Sequence, residues 1–89
     1  DKIDLQKVIQ ELTDTELVYL IKGESEEIQN KIWGSMSEGR RQFVQEEMNV
    51  IGLIKKSEAD RMTKEFVKII REKADRGDIR IITDDEWVY

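Results

Sequence analysis

Helix starts are the plainest signal in this chain. Four times a Ser or Thr stands just ahead of apolar residues spaced three and four apart: Thr13, Ser25, Ser37 and Ser57. A hydroxyl there can accept a backbone N–H one turn in, where an α-helix has donors without intrahelical partners. Thr13 and Glu16 make the fuller pattern, in which the Glu side chain returns the bond to the cap residue. Proline is absent, so nothing interrupts a helix interior. A chain punctuated in this way is committed to several short helices.

The apolar spacing places them. Leu5, Val8, Ile9 and Leu12 predict an amphipathic helix over about Asp4–Leu12. The next helix follows Thr13, buries Leu17, Leu20 and Ile21 and ends before Gly23, with Lys22 in its last turn, where a cation suits the dipole. Ser25 caps a third helix with Glu26 and Glu27 in its first turn and Ile28, Ile32 and Met36 as its apolar line. Trp33 lies one position off that line. Ser37 opens a central helix to Ile51, with Val44, Met48 and Ile51 facing inward and Gly52 able to end it in the left-handed conformation. Ser57 caps the longest helix, to about Asp75, lined by Ala59, Met62, Phe66, Ile69 and Ile70. Ile79, Ile81 and Ile82 then alternate with polar residues in a short extended segment. The expected fold is an all-α array of consecutive short helices, coiled as a stack rather than drawn out as a four-helix bundle.

Composition narrows the function. The 89 residues suffice for one domain at most. Charged residues make up 39% and hydrophobic residues 38%, but the apolar ones are periodic, which argues for a helical fold rather than disorder. A net charge of −5 and a pI near 4.8 argue against nucleic acid and against anionic membrane. Without cysteine there is no disulfide or thiolate chemistry, and without histidine the usual metal ligand and general base is missing. No apolar run approaches the roughly 20 residues of a membrane helix. The chain opens on Asp1 rather than Met, as expected of a piece of a longer protein.

Charge on the central helix is the remaining candidate for function. Glu46 and Glu47 are its only carboxylate pair, and neighbouring helix positions point about 100° apart, so they cannot converge on one substrate atom. Neither a supporting His nor a loop of closely spaced Asp is present for a metal. The chain is therefore expected not to be an enzyme and to hold neither cofactor nor metal. A bland alternative is a solvated helix face. Against it, Glu47 lies seven residues from Arg40 on nearly the same azimuth, bordering Phe43 and Ile51, and Lys55-Lys56 follow in the next loop. Arg40, Arg41, Glu46, Glu47 and Lys55 then make a short ridge of mixed charge. Inside one molecule such pairs contribute only about 0–1 kcal/mol, whereas facing a charged partner they steer encounter and set register. Trp33, Trp87 and Tyr89 are read as packing residues.

Several segments, in register, resemble the C-terminal domain of the flagellar motor switch protein family FliG. They are Gln6-Lys-Val-Ile-Gln-Glu-Leu12, Leu20-Ile-Lys-Gly23, Lys31-Ile-Trp-Gly-Ser-Met-Ser37, Glu46-Glu-Met48, Val67-Lys-Ile-Ile-Arg71 and Arg76-Gly-Asp-Ile79. The resemblance runs without a gap from about residue 1 to 82, leaving residues 83–89 as an acidic tail. The family's middle domain fits less well, because its Glu-His-Pro-Gln motif is absent.

The resemblance implies a right-handed superhelix of about five to six short helices. It implies a rotor component at the cytoplasmic face of the inner membrane, in the flagellar basal body, that meets the cytoplasmic loop of the stator protein MotA to generate torque. It also implies a homo-oligomeric ring, with FliM and FliF contacted through other domains. By position, the family's stator-facing Lys is Lys22, its Asp-Asp pair is Glu46-Glu47, and the Arg of its Gly-Pro-Val-Arg loop is Lys55 in Gly52-Leu-Ile-Lys. The family's Arg after the Met-Ser cap is replaced by Gly39, with Arg40 and Arg41 just after. The expected stator-interaction set is thus Lys22, Arg40, Arg41, Glu46, Glu47 and Lys55. Lys does not reproduce a guanidinium fork, and Gly39 carries no charge. The alternative is therefore a divergent paralogue, acting as a structural adaptor in the rotor ring with weakened or no stator coupling.

Overall fold

The first three expected caps are in place in the computed structural model, which describes residues 2–79, with side chains from Asp4. Five helices follow in order: α1 Lys2–Ile9, α2 Asp14–Lys22, α3 Glu26–Gly34, α4 Glu38–Ile51 and α5 Lys56–Asp75. Glu16 N donates to Thr13 Oγ1 at 3.1 Å and Thr13 N to Glu16 Oε1 at 2.9 Å, so the capping box closes in both directions. Ser25 caps α3, its hydroxyl accepting from Ile28 N at 3.5 Å. Ser37 caps α4 through Arg40 N at 3.2 Å. The all-α fold stands, and no strand occurs among the described residues.

Four local expectations are corrected. The first helix ends at Ile9, not Leu12: Glu11 N and Leu12 N turn back to the carbonyls of Val8 and Ile9, both at 3.1 Å. Thr13 must be extended to cap α2 (φ −73°, ψ 164°), so the chain has to leave the helix before it. The last helix starts one residue before Ser57, and its N-cap is Lys55. Glu58 decides this, accepting Lys55 N at 3.3 Å, while the Lys side chain has no acceptor to complete a box. Gly52 has φ 67° and ψ −134°, a positive φ outside the left-handed helical region. Its N–H still donates to Met48 O at 3.0 Å, and only glycine enters this backbone region without steric cost. Ile28 is exposed rather than buried, leaving Ile32 as the buried residue of α3.

α2 is the hub. Leu17, Val18, Leu20 and Ile21 are all buried, and the helix packs against α3, α4 and α5, while α1 packs on α3. A helix apolar on so much of its surface has to be surrounded. Around it gather Val8, Ile9, Leu12, Ile32, Met36, Val44, Met62 and Phe66, with Met48, Ile51, Ile69, Ile70 and Ile79 partly buried at the edge. Burying each large aliphatic side chain is worth about 1.5–3 kcal/mol, so the two residues of each turn that face inward outweigh the weak intrinsic stability of helices this short. Trp33 is half-buried, as expected. The segment 80–82, the tail 83–89, and with them Trp87 and Tyr89, lie outside the described residues.

Two close approaches hold α5 in place, one at the end of α2 and one at the turn after α1. A Cβ at Gly23 would stand 2.9 Å from the Cβ of Ala59, so the end of α2 comes nearer α5 than any side chain would allow. Near the far end of α5, Lys73 is buried and pairs with Glu11 at 2.8 Å. Lys7 Nζ donates to Asp78 O at 3.1 Å, closing the same end of the domain.

Candidate partner-binding helix

α4 is held to the rest of the domain by polar bonds at both ends and in the middle. At its start, Arg40 reaches across to the turn after α1. Its Nε donates to Asp14 Oδ1 at 3.2 Å, one terminal nitrogen to Ile9 O at 3.1 Å, and the other to Leu12 O. Those two carbonyls belong to the end of α1 and the turn after it, where carbonyls lack helical partners, and the five-donor fork of Arg suits three acceptors at once. In the middle, Glu47 is half-buried and accepts from Thr15 Oγ1 at 2.9 Å. At the end, Lys22 Nζ donates to Gly52 O.

The six expected residues therefore separate by environment. Lys22, Arg40 and Glu47 are partly buried and engaged within the domain. Arg41, Glu46 and Lys55 are exposed. Arg41 Nε donates to the Met36 carbonyl at 3.2 Å, in the loop before α4. Neither the Glu46 carboxylate nor the Lys55 ammonium has a hydrogen-bond or ion-pair partner among the described residues. Gly39 is exposed in the first turn of α4, and a Cβ there would meet no atom within 4 Å.

Sequence reasoning passed over Thr15, whose role depends on which helix lies opposite it. It also treated Phe43 only as a neighbour of Glu47, although Phe43 and Val50 stand seven residues apart on one helix and are both exposed. Their spacing alone was a readable signal.

An open groove of about 320 Å³ runs between α2 and α5, past Glu16, Tyr19, Arg61 and Met62. No group of three or more His, Cys, Asp or Glu among the described residues is placed to hold a metal ion. No helix among them is long and apolar enough to cross a membrane.

The sequence profile of the FliG C-terminal domain matches residues 1–81, which takes in all five helices. This chain belongs to the FliG C-terminal domain family. Among its relatives, the flagellar motor switch protein FliG of Aquifex aeolicus is 33% identical over 81 residues, covering 91% of this chain and 24% of that protein. The protein of the same name from Pseudomonas aeruginosa is 29% identical over 79 residues, covering 89% and 23%. That of Thermotoga maritima is 26% identical over 81 residues, covering 91% and 24%. The chain thus spans about a quarter of the length of these curated FliG relatives. Within the FliG family pattern, Gly23 of the Leu-x-Lys-Gly segment now has a steric reason, its approach to Ala59.

Proposed function

We propose that this domain is a non-enzymatic rotor element of the bacterial flagellar motor that meets the stator protein MotA through charges on and around α4. The names of its FliG relatives support the setting. The observation that carries the reading is that α4 is tied down through Arg40, Glu47 and Lys22 while Glu46, Arg41 and Lys55 remain exposed. A helix pushed by a partner has to pass force to its domain, and bonds to α2 and to the α1–α2 turn do that. In this reading the domain sits at the cytoplasmic face of the inner membrane, in the basal body. The longer protein forms a homo-oligomeric ring and contacts FliM and FliF through its other parts.

Glu46→Lys in the full-length protein tests it. Glu46 is exposed and has no partner among the described residues, so the variant should keep its unfolding midpoint. Swimming speed or single-motor torque should drop several-fold. Wild-type rotation in a folded variant would sink the reading.

Gly39 favours a second reading, a structural adaptor in the rotor ring with little stator coupling, because the position lacks the family's charge. Open space around Gly39 allows an Arg there without repacking. Under the first reading Gly39→Arg changes torque while stability stays within about 0.5 kcal/mol. Under the adaptor reading neither Gly39→Arg nor Glu46→Lys alters rotation.

A further inference from the structure

The outward face of α5 carries four cations in one line. Arg61, Lys64, Lys68 and Arg71 follow one another at spacings of three, four and three, and all are exposed. At about 100° per residue the line lies opposite the buried Ala59, Met62 and Phe66, with Ser57 before it and Asp75 after it. None of the four has a hydrogen-bond or ion-pair partner among the described residues. The other cations of this stretch do: Lys56 pairs with Asp60, Lys73 with Glu11 and Arg76 with Asp78. A solvated helix face commonly mixes its signs. Here Glu58, Glu65 and Glu72 run seven apart along one flank, leaving the cations together in a chain of net charge −5. On that flank lies the open groove between α2 and α5, lined by Tyr19, Met62 and Arg61 together with Glu16, Glu58 and Glu65.

We propose that this surface is the docking site of the chain's own segment 83–89, with Asp84, Asp85 and Glu86 on Arg71, Lys68 and Lys64 and Trp87 in the groove beside Arg61. The order of the segment fits the order of the surface. Its three acids come first, toward the Arg71 end of α5, and the uncharged Trp87, Val88 and Tyr89 follow. The carboxylates of Glu16, Glu58 and Glu65 oppose an acid in the groove. An indole fits there, with Met62 and Tyr19 to pack on and the Arg61 guanidinium for its face. The reach suffices. Ile79, the last described residue, packs on the core just past α5. Trp87 comes eight residues later, up to about 26 Å of extended chain. The fourteen residues of α5 from Asp75 back to Arg61 rise about 21 Å. The same segment of a second copy is a poorer occupant, because two domains of net charge −5 would have to meet, whereas the chain's own segment is already tethered beside the site.

Zero-length cross-linking of the full-length protein tests this. A carbodiimide joins a carboxylate to a lysine amine where the two are in contact, and mass spectrometry of the digest names the pair. Asp84, Asp85 and Glu86 should join Lys68 and Lys64 several-fold more often than Lys7. Lys7 is the control because its exposed ammonium donates to Asp78 O, at the start of the segment, where undocked acids would meet it first. Arg71→Glu leaves both acceptor lysines in place and, at an exposed position, the fold intact. It should lower the yield several-fold, as should salt near 1 M. Trp87→Ala should also lower it several-fold by removing the anchor. Mixing ordinary with heavy-isotope-labelled protein shows whether each link lies within one chain. The proposal is overturned by links mainly to Lys7, by links mainly between labelled and unlabelled copies, or by yields indifferent to Arg71→Glu or to Trp87→Ala. None of these outcomes involves α4 or rotation, so the inference stands or falls apart from the stator reading.

Discussion

Thr15, in the first turn of α2, donates its hydroxyl to Glu47 of α4 across 2.9 Å. Seven residues later Lys22 donates to the carbonyl of Gly52, just past the C-terminal end of α4. The two bonds lie two turns apart on the same face of α2, so together they set where α4 sits along it. Thr15→Val keeps the shape and removes the donor, and is expected to cost about 0.5–1.5 kcal/mol in urea unfolding. Glu47→Gln keeps an acceptor and should stay within about 0.5 kcal/mol of wild type. If Glu47 acts mainly through Thr15, Glu47→Gln also leaves rotation nearly normal, unlike Glu46→Lys.

Arg40 is expected to behave as a structural residue before anything else. Arg40→Ala leaves the Leu12 carbonyl and Asp14 without this donor and the Ile9 carbonyl with Leu12 N alone. The loss should be about 2–3 kcal/mol. Arg40→Lys should recover less than half of it, because one ammonium cannot span three acceptors set around a planar fork. Equal unfolding midpoints for the Ala and Lys variants would contradict that geometry.

Lys73 and Glu11 should show strong coupling. Lys73 is buried and Glu11 is half-exposed, so solvent already screens part of the pair. Glu11→Gln is expected to cost about 1–2 kcal/mol, less than for a fully buried pair, by stranding the ammonium. Lys73→Met made together with it should restore most of the loss. A double-mutant cycle with no interaction energy would show that the pair contributes nothing.

Gly23 tests the seat of α5 on α2. Its φ of −89° suits any residue, so only space restricts it. Gly23→Ala pits reduced freedom of the unfolded chain, worth about 0.4–1 kcal/mol, against a carbon 2.9 Å from the Ala59 Cβ. Gly23→Val adds bulk with nowhere to go and should lose about 1–3 kcal/mol. Ala59→Gly, made in the Gly23→Ala background, should relieve the clash and narrow the loss.

The helix order was legible because its signals are local. Thr13 with Glu16, Ser25 and Ser37 meet donors within three residues, and those bonds form whatever the rest of the chain does. Where two local signals competed, the weaker one misled. Ser57 looked like a cap, but Glu58 three residues after Lys55 drew the start of α5 back. The α1 boundary likewise yielded to the extended backbone that Thr13 needs. Ile28 matched the apolar line of α3, but the packing of the helix leaves it exposed.

By itself, then, the sequence determined an all-α chain of short capped helices, its inward-facing lines from Leu17 to Phe66, and its family register. What only the tertiary structure decided is which charges are free. Lys22, Arg40 and Glu47 are bound to groups 30, 31 and 32 residues away, while Glu46, one position from Glu47, stays in water. Neighbouring helix positions differ by about 100°, so one step separates a side chain clamped against α2 from one offered to a partner. Which step falls on which side depends on where α2 and the α1–α2 turn lie, and no local spacing contains that.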